Sequence, residues 1–265
     1  MGWTAIAEAF SAARSRGEGA LVAYLMGGDP DPRRSPAYLA AAAAGGADLL
    51  EIGIPFSDPV ADGPTIQRAG VRALRAGTTP ETVLEIAAAV KRETGAPLVL
   101  MGYYNPILRF GEEEFCAAAA ECGADGLIVP DLPPEEAVSL GEAAGRHGLG
   151  LVFLVTPETR DGRIGLIAAH TKGFLYLVSR YGTTGERDQV SSGLAALIGR
   201  VRDRAGGLPI AVGFGIARPE HVRAVVGAGA DGAVVGSRLV RAVEEGAPPE
   251  ALEGLVRELK AATRA

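Results

Sequence analysis

Eight short apolar runs, spread along the whole chain and separated by longer amphipathic stretches, constrain this sequence more than any other feature. They are Ala20–Leu25, Leu49–Ile54, Pro97–Met101, Gly126–Val129, Leu151–Val155, Phe174–Val178, Pro209–Val212 and Ala233–Val235. Each is nearly continuous instead of alternating with polar residues, which is the pattern of parallel strands covered on both faces. The stretches between them carry helix boundaries. Thr79-Pro80-Glu81-Thr82, Pro133-Pro134-Glu135-Glu136 and Arg218-Pro219-Glu220 open helices with proline and acids in the first turn, and Gly95, Gly123, Gly148, Gly173 and Gly229 close helices ahead of the next run. A regular β-α alternation predicts an α/β fold, a (β/α)8 TIM barrel, with one extra helix over roughly Trp3–Arg14 ahead of the first strand. A doubly wound open sheet is the alternative. No Pro/Gly/Ser-rich linker interrupts the pattern, so a single domain over residues 1–265 is expected. Gly46-Ala47-Asp48, Gly123-Ala124-Asp125 and Gly229-Ala230-Asp231 repeat one formula between helix and strand, read here as a turn.

Composition narrows the function classes. The 265 residues are close to the ~250 of one such barrel. A net charge of -6 argues against a nucleic-acid partner, so an anionic substrate would need local holders such as backbone N–H groups. The first residues lack the charged start and apolar run of a signal peptide, and Ile6 stands where a myristoylation signal needs Ser or Thr. No run of about 18 apolar residues exists to span a membrane. Cys116 and Cys122 are read as free thiols in a reducing compartment. The expected location is cytoplasmic.

In a barrel of this kind the chemistry lies at the C-terminal strand ends and in the loops that follow them. Glu51 is a carboxylate inside an apolar strand, flanked by Leu49, Leu50, Ile52 and Ile54. Burial suits such a group to hold a proton near neutrality, unless it is a structural partner of a buried arginine. Asp62 follows in a Pro/Gly-rich loop, where a lone aspartate is ordinarily a turn former. Two carboxyls on one βα unit are better read as an acid–base pair. After the sixth run, Ser179–Ser192 is too long and polar for a connector and reads as a lid. After the seventh and eighth stand Gly213-Phe214-Gly215-Ile216 and Gly236-Ser237-Arg238, each leading into a helix, the pattern of a barrel phosphate site. The three lysines, Lys91, Lys172 and Lys260, and the three histidines lie in or beside helical segments. Schiff-base chemistry and a metal cluster are therefore not expected.

The run Leu50–Gln67, with Pro55-Phe56-Ser57-Asp58-Pro59 and Ala61-Asp62-Gly63-Pro64 inside it, resembles the signature of tryptophan synthase alpha chains. The likeness extends to Gly28-Asp29-Pro30, Met101–Pro106 and Pro130–Pro133, and covers the chain. It implies retro-aldol cleavage of indole-3-glycerol phosphate to indole and glyceraldehyde 3-phosphate, with Glu51 and Asp62 as the catalytic carboxylates. It places Tyr24, Tyr103 and Tyr176 around the indole and Thr184, Gly185, Gly215, Gly236 and Ser237 at the lid and phosphate. It puts Pro55, Phe56 and Asp58 at the interface with a beta subunit in an alpha2beta2 heterotetramer, with pyridoxal phosphate on that subunit and no cofactor or metal on this chain. A free-standing indole-3-glycerol phosphate lyase is the alternative. Tyr24, Met26 and Thr183 depart from the commoner family residues but leave both carboxylates and the glycines in place.

Overall fold

The computed structural model describes residues 2–179, 187–213 and 215–264. The strands are β1 (Ala20–Met26), β2 (Leu49–Gly53), β3 (Leu98–Met101), β4 (Gly126–Ile128), β5 (Gly150–Val152), β6 (Leu154–Val155), β7 (Leu175–Val178), β8 (Ile210–Gly213) and β9 (Gly232–Val235). All pair in parallel, in the order β5-β4-β3-β2-β1-β9-β8-β7-β6. The two ends of that order are one stretch of chain, interrupted only at Phe153. The Phe153 carbonyl still accepts the Tyr176 N–H at 3.2 Å, so the sheet closes into a barrel. The eight apolar runs are its eight staves, with the fifth split in two.

Helices cover the outside. Pro80–Thr94 shows why the sequence makes them. Thr79 caps the Thr82 N–H, Pro80 and Glu81 occupy the first turn, and Gly95 ends the helix at φ +65. Val83, Leu84, Ile86, Ala87 and Val90 form its buried stripe. One expected boundary moves. The helix after β4 is Val138–Arg146, because Pro133–Ala137 makes a separate turn in which Glu136 and Ala137 donate to the Pro133 carbonyl. Three units hold an additional helix between strand and covering helix: Pro64–Arg75, Tyr104–Phe110 and Ser237–Glu244. No helix among the described residues is long and apolar enough to cross a membrane.

Inside the barrel, Val22, Leu49, Val99, Ile128, Val152, Ala211 and Val234 pack together. The N-terminal helix, Gly2–Ser15, inserts Ile6 and Phe10 into their lower end. Phe10 lies 5.3 Å from Phe174, and Phe174 lies 6.2 Å from Tyr176. An aromatic column thus runs from the plug at the bottom to the upper half of the barrel.

The repeated Gly-Ala-Asp formula has a physical role at the bottom rim. Asp48, Asp125 and Asp231 each donate their N–H to the carbonyl of a residue on the neighbouring strand, respectively Leu21, Leu98 and Ile210. Each carboxylate then accepts the N–H of that same residue, at 2.8–2.9 Å. Lys260 and Arg16 pair with Asp48, Lys91 with Asp125, and Arg14 and Arg202 with Asp231. The turn is a two-point clamp between adjacent staves, neutralised on its outer side.

Candidate active site

Strand alternation decides where Glu51 points. Leu49 belongs to the barrel interior whereas Leu50 and Ile52 pack against the helices, so Glu51 faces inward with Leu49. It pairs in register with Tyr24 on one side and Val99 on the other. Its side chain is 1% exposed, and its Oε2 has no hydrogen-bond partner. Burial, and then the negative charge of Asp62, push its carboxyl up to about 8.

Asp62 hangs over the same space from the loop after β2. Its N–H donates to the Pro59 carbonyl, and its own carbonyl accepts from Gln67 Nε2 at 2.9 Å. Burial raises its carboxyl to about 6, against the opposing effect of a hydrogen bond from Tyr103. No cation pairs with either carboxyl among the described residues.

A cavity opens between them, with about 570 Å³ of empty space counted out through its mouth. Tyr24, Met101, Tyr176, Ile66 and Val234 give it apolar walls, and Gly215, Gly236 and Ser237 also line it. Two glycines make room for the tyrosines: a Cβ on Gly53 would lie 2.3 Å from the Tyr24 hydroxyl, and one on Gly213 would lie 2.4 Å from that of Tyr176. Burial, with the two carboxyls adding to it, holds both phenols well above their ordinary range, so they stay neutral. Gly215 adopts φ +82, a conformation that favours glycine. Gly236 caps the helix Ser237–Glu244. The site therefore brings two proton-holding carboxyls, apolar walls and a helix start capped by glycine into one cavity.

Residues 10–264 match the family described as tryptophan synthase alpha chain. The chain belongs to that family. An alpha chain of Methanosarcina barkeri is 49% identical, covering 96% of this chain and 95% of its own length. One from Solibacter usitatus is 48% identical over 97% of each. Among solved structures, tryptophan synthase of Mycobacterium tuberculosis aligns with a TM-score of 0.90 at 36% identity over 98% of both chains. The alpha subunit from Legionella pneumophila aligns at 0.88 and 36%, again over 98% of both. Membership of the tryptophan synthase alpha chain family makes this chain a lyase of tryptophan biosynthesis with a TIM-barrel fold.

The residues singled out from the sequence divide into three groups. Glu51, Asp62, Tyr24, Tyr176, Gly215, Gly236 and Ser237 surround one cavity. Tyr103 is buried but stands behind the Asp62 loop, outside that lining. Thr184 and Gly185 lie outside the described residues. In the β2 loop Pro55 is buried, Phe56 is half-buried against Tyr103, and Asp58 is exposed beside the Ser57 hydroxyl it accepts from. The apolar residue left bare in that loop is Val60, 85% exposed, not Phe56. Sequence reasoning missed Gly63, Ile66, Met101, Ile216 and Val234 as lining residues. Their common signal is position, in the upper part of a strand, in the turn that follows one, or, for Ile66, in the first turn of the next helix. Among the described residues, no three His, Cys, Asp or Glu side chains converge to hold a metal ion.

Proposed function

We propose that this chain, a single domain over residues 1–265, cleaves indole-3-glycerol phosphate to indole and glyceraldehyde 3-phosphate. The observation that carries the reading is the pair of carboxyls with raised and unequal proton affinities, about 8 for Glu51 and about 6 for Asp62, in one apolar cavity. Near pH 7 the first is protonated and the second ionised. Asp62 accepts a hydrogen bond from the indole N–H, and the ring nitrogen pushes electron density to C3. Glu51 delivers its proton to C3, then as a carboxylate takes the proton of the adjacent glycerol hydroxyl. The C–C bond breaks, its electrons restore the aromatic indole, the hydroxyl carbon becomes the aldehyde, and Glu51 is protonated again. The phosphate lies against the N–H groups around Gly215, Gly236 and Ser237; by the family resemblance Gly185 belongs to the same cradle and Thr184 is the lid threonine that serves Asp62. Tyr24 and Tyr176 face the indole.

The chain needs no cofactor of its own for these steps. Its partner is a beta subunit, which carries pyridoxal phosphate and receives the indole, in a cytoplasmic alpha2beta2 heterotetramer. The β2 loop, with half-buried Phe56 and exposed Asp58 at one end and exposed Val60 at the other, is the surface offered to it, and buried Pro55 supports the loop from beneath.

The experiment is indole release from indole-3-glycerol phosphate across pH, by the chain alone and titrated with beta subunit. Activity is expected to rise through pH 6 as Asp62 ionises and to fall through pH 8 as Glu51 loses its proton. Beta subunit is expected to activate at least ~10-fold, about 1.4 kcal/mol of barrier. Absence of indole sinks the reaction. Equal rates with and without partner sink the coupling and favour the free-standing lyase.

A further inference from the structure

The loop that carries Asp62 rests on a side chain that the cavity does not use. Tyr103 follows β3, and its backbone is fixed from two directions. It caps the helix Tyr104–Phe110, with extended φ −78 and ψ 155. The next N–H, of Tyr104, donates to Asp131 Oδ1 at 2.9 Å, which ties the loop after β3 to the loop after β4. Gly102 lets the strand end pass close to β2: a Cβ there would lie 3.1 Å from Ile54 Cδ1. From this anchor the phenol meets the β2 loop at both ends. Its ring lies 5.5 Å from that of Phe56. Its hydroxyl accepts the N–H of Ala61, the residue before Asp62, at 2.9 Å, and stands close enough to the Asp62 carboxyl to oppose the rise that burial causes there.

The geometry points to Tyr103 as the positioning residue of the site, a fixed post that sets where the Asp62 carboxylate stands and links it to the ring of Phe56. This rests on the reading of Asp62 as an acid–base group. The hydroxyl accepts from the Ala61 N–H, and that bond polarises its own hydrogen toward the neighbouring carboxylate. A donor to the charged form keeps Asp62 ionised at a lower pH than its burial alone would allow. Because the same ring supports Phe56, a surface pressing on Phe56 reaches Asp62 through one rigid side chain. The motifs Met101–Pro106 and Pro130–Pro133 thereby gain a purpose: Asp131 holds the peptide on which Tyr103 stands.

The test is Tyr103→Phe in the isolated chain, which keeps the ring and the Phe56 contact and removes only the hydroxyl. The expected result is a kcat about tenfold lower with KM within about twofold. The acidic limb of the profile is expected to move up by about one pH unit, since a carboxyl that loses its donor is harder to ionise. Phe56→Ala should displace the limb in the same direction by less, and no displacement would remove Phe56 from the linkage. A merely structural Tyr103 would lower Tm and leave the limb in place. An unmoved limb with unchanged kcat overturns the proposal. Asp62→Asn, assayed in parallel, separates two failures. If it retains wild-type turnover, the acid–base reading fails and takes this inference with it. If it is inactive while Tyr103→Phe matches wild type, Asp62 keeps its role and Tyr103 loses the one assigned here.

Discussion

The two rims of the barrel treat their carboxylates in opposite ways. At the bottom, Asp48, Asp125 and Asp231 each meet a backbone N–H and at least one cation. Glu18 is held by Lys260, Arg16 and Arg264. Burial alone would raise its carboxyl, but those bonds bring it down to about 2. At the top, Glu51 is buried with an oxygen left unpartnered, and both it and Asp62 are pushed upward. The same side-chain chemistry serves as mortar at one end and as a proton store at the other. What differs is whether the fold supplies donors and cations. A barrel can afford the deprivation at the top because the clamps at the bottom hold the staves.

The largest effect expected from breaking this contrast comes from Glu51→Gln. It should lower kcat by about 10³–10⁴-fold while leaving KM within about threefold, since the proton transfer is lost but the phosphate rim is not. A variant that keeps most of the wild-type rate would sink the acid–base assignment. The same substitution sharpens the comparison through stability. A carboxyl whose folded proton affinity is raised contributes stability that is fully present below pH 4.5 and is lost as pH rises through about 8. Thermal melts from pH 5 to 9 should therefore show wild type weakening toward alkaline pH and Glu51→Gln weakening less. Glu18 works in the other sense: its contribution is present above pH 4.5 and is lost as pH falls through about 2.

Asp48→Ala should come next, and its effect should be the mirror image. It leaves the Leu21 N–H without its acceptor and takes one of two carboxylates from Lys260, which keeps Glu18 and the Gly19 carbonyl, at a cost of about 1–3 kcal/mol in urea unfolding. Its kcat at 25 °C should stay within about twofold of wild type. A large loss of turnover in folded Asp48→Ala would mean that the rims are not separable. The smallest effect is expected from Gly236→Ala. The added Cβ would lie 3.1 Å from Tyr24 Cδ1 and crowd the anion rim, raising KM about three- to tenfold with little change in kcat. An unaltered KM would move the phosphate away from this helix start.

The contrast was half visible in the sequence. A carboxylate amid Leu49, Leu50, Ile52 and Ile54 announces itself, because a charge in a strand covered on both faces needs a reason. The Gly-Ala-Asp formula was legible only as a turn, since the N–H groups that Asp48, Asp125 and Asp231 accept belong to strands roughly twenty to thirty residues earlier. All eight apolar runs became staves. The break at Phe153 was hidden, because a strand that splits between two neighbours keeps its apolar character throughout. Tyr103 was singled out for its aromatic ring, yet its contacts run to a loop, and no local pattern tells a wall from a post. Lining by Met101, Ile66 and Val234 escaped for a related reason: a residue that faces a cavity and one that faces a core look alike on paper.

The plug formed by Ile6 and Phe10 has a consequence for traffic. With the lower end filled by the column from Phe10 through Phe174 to Tyr176, the described residues leave the cavity no way out through the bottom of the barrel. Whatever enters over the upper rim must leave over it, so a lingering product bars the next substrate and cannot be flushed from behind. Departing molecules queue in order of depth, and anything that covers the mouth controls arrival and exit with a single shutter.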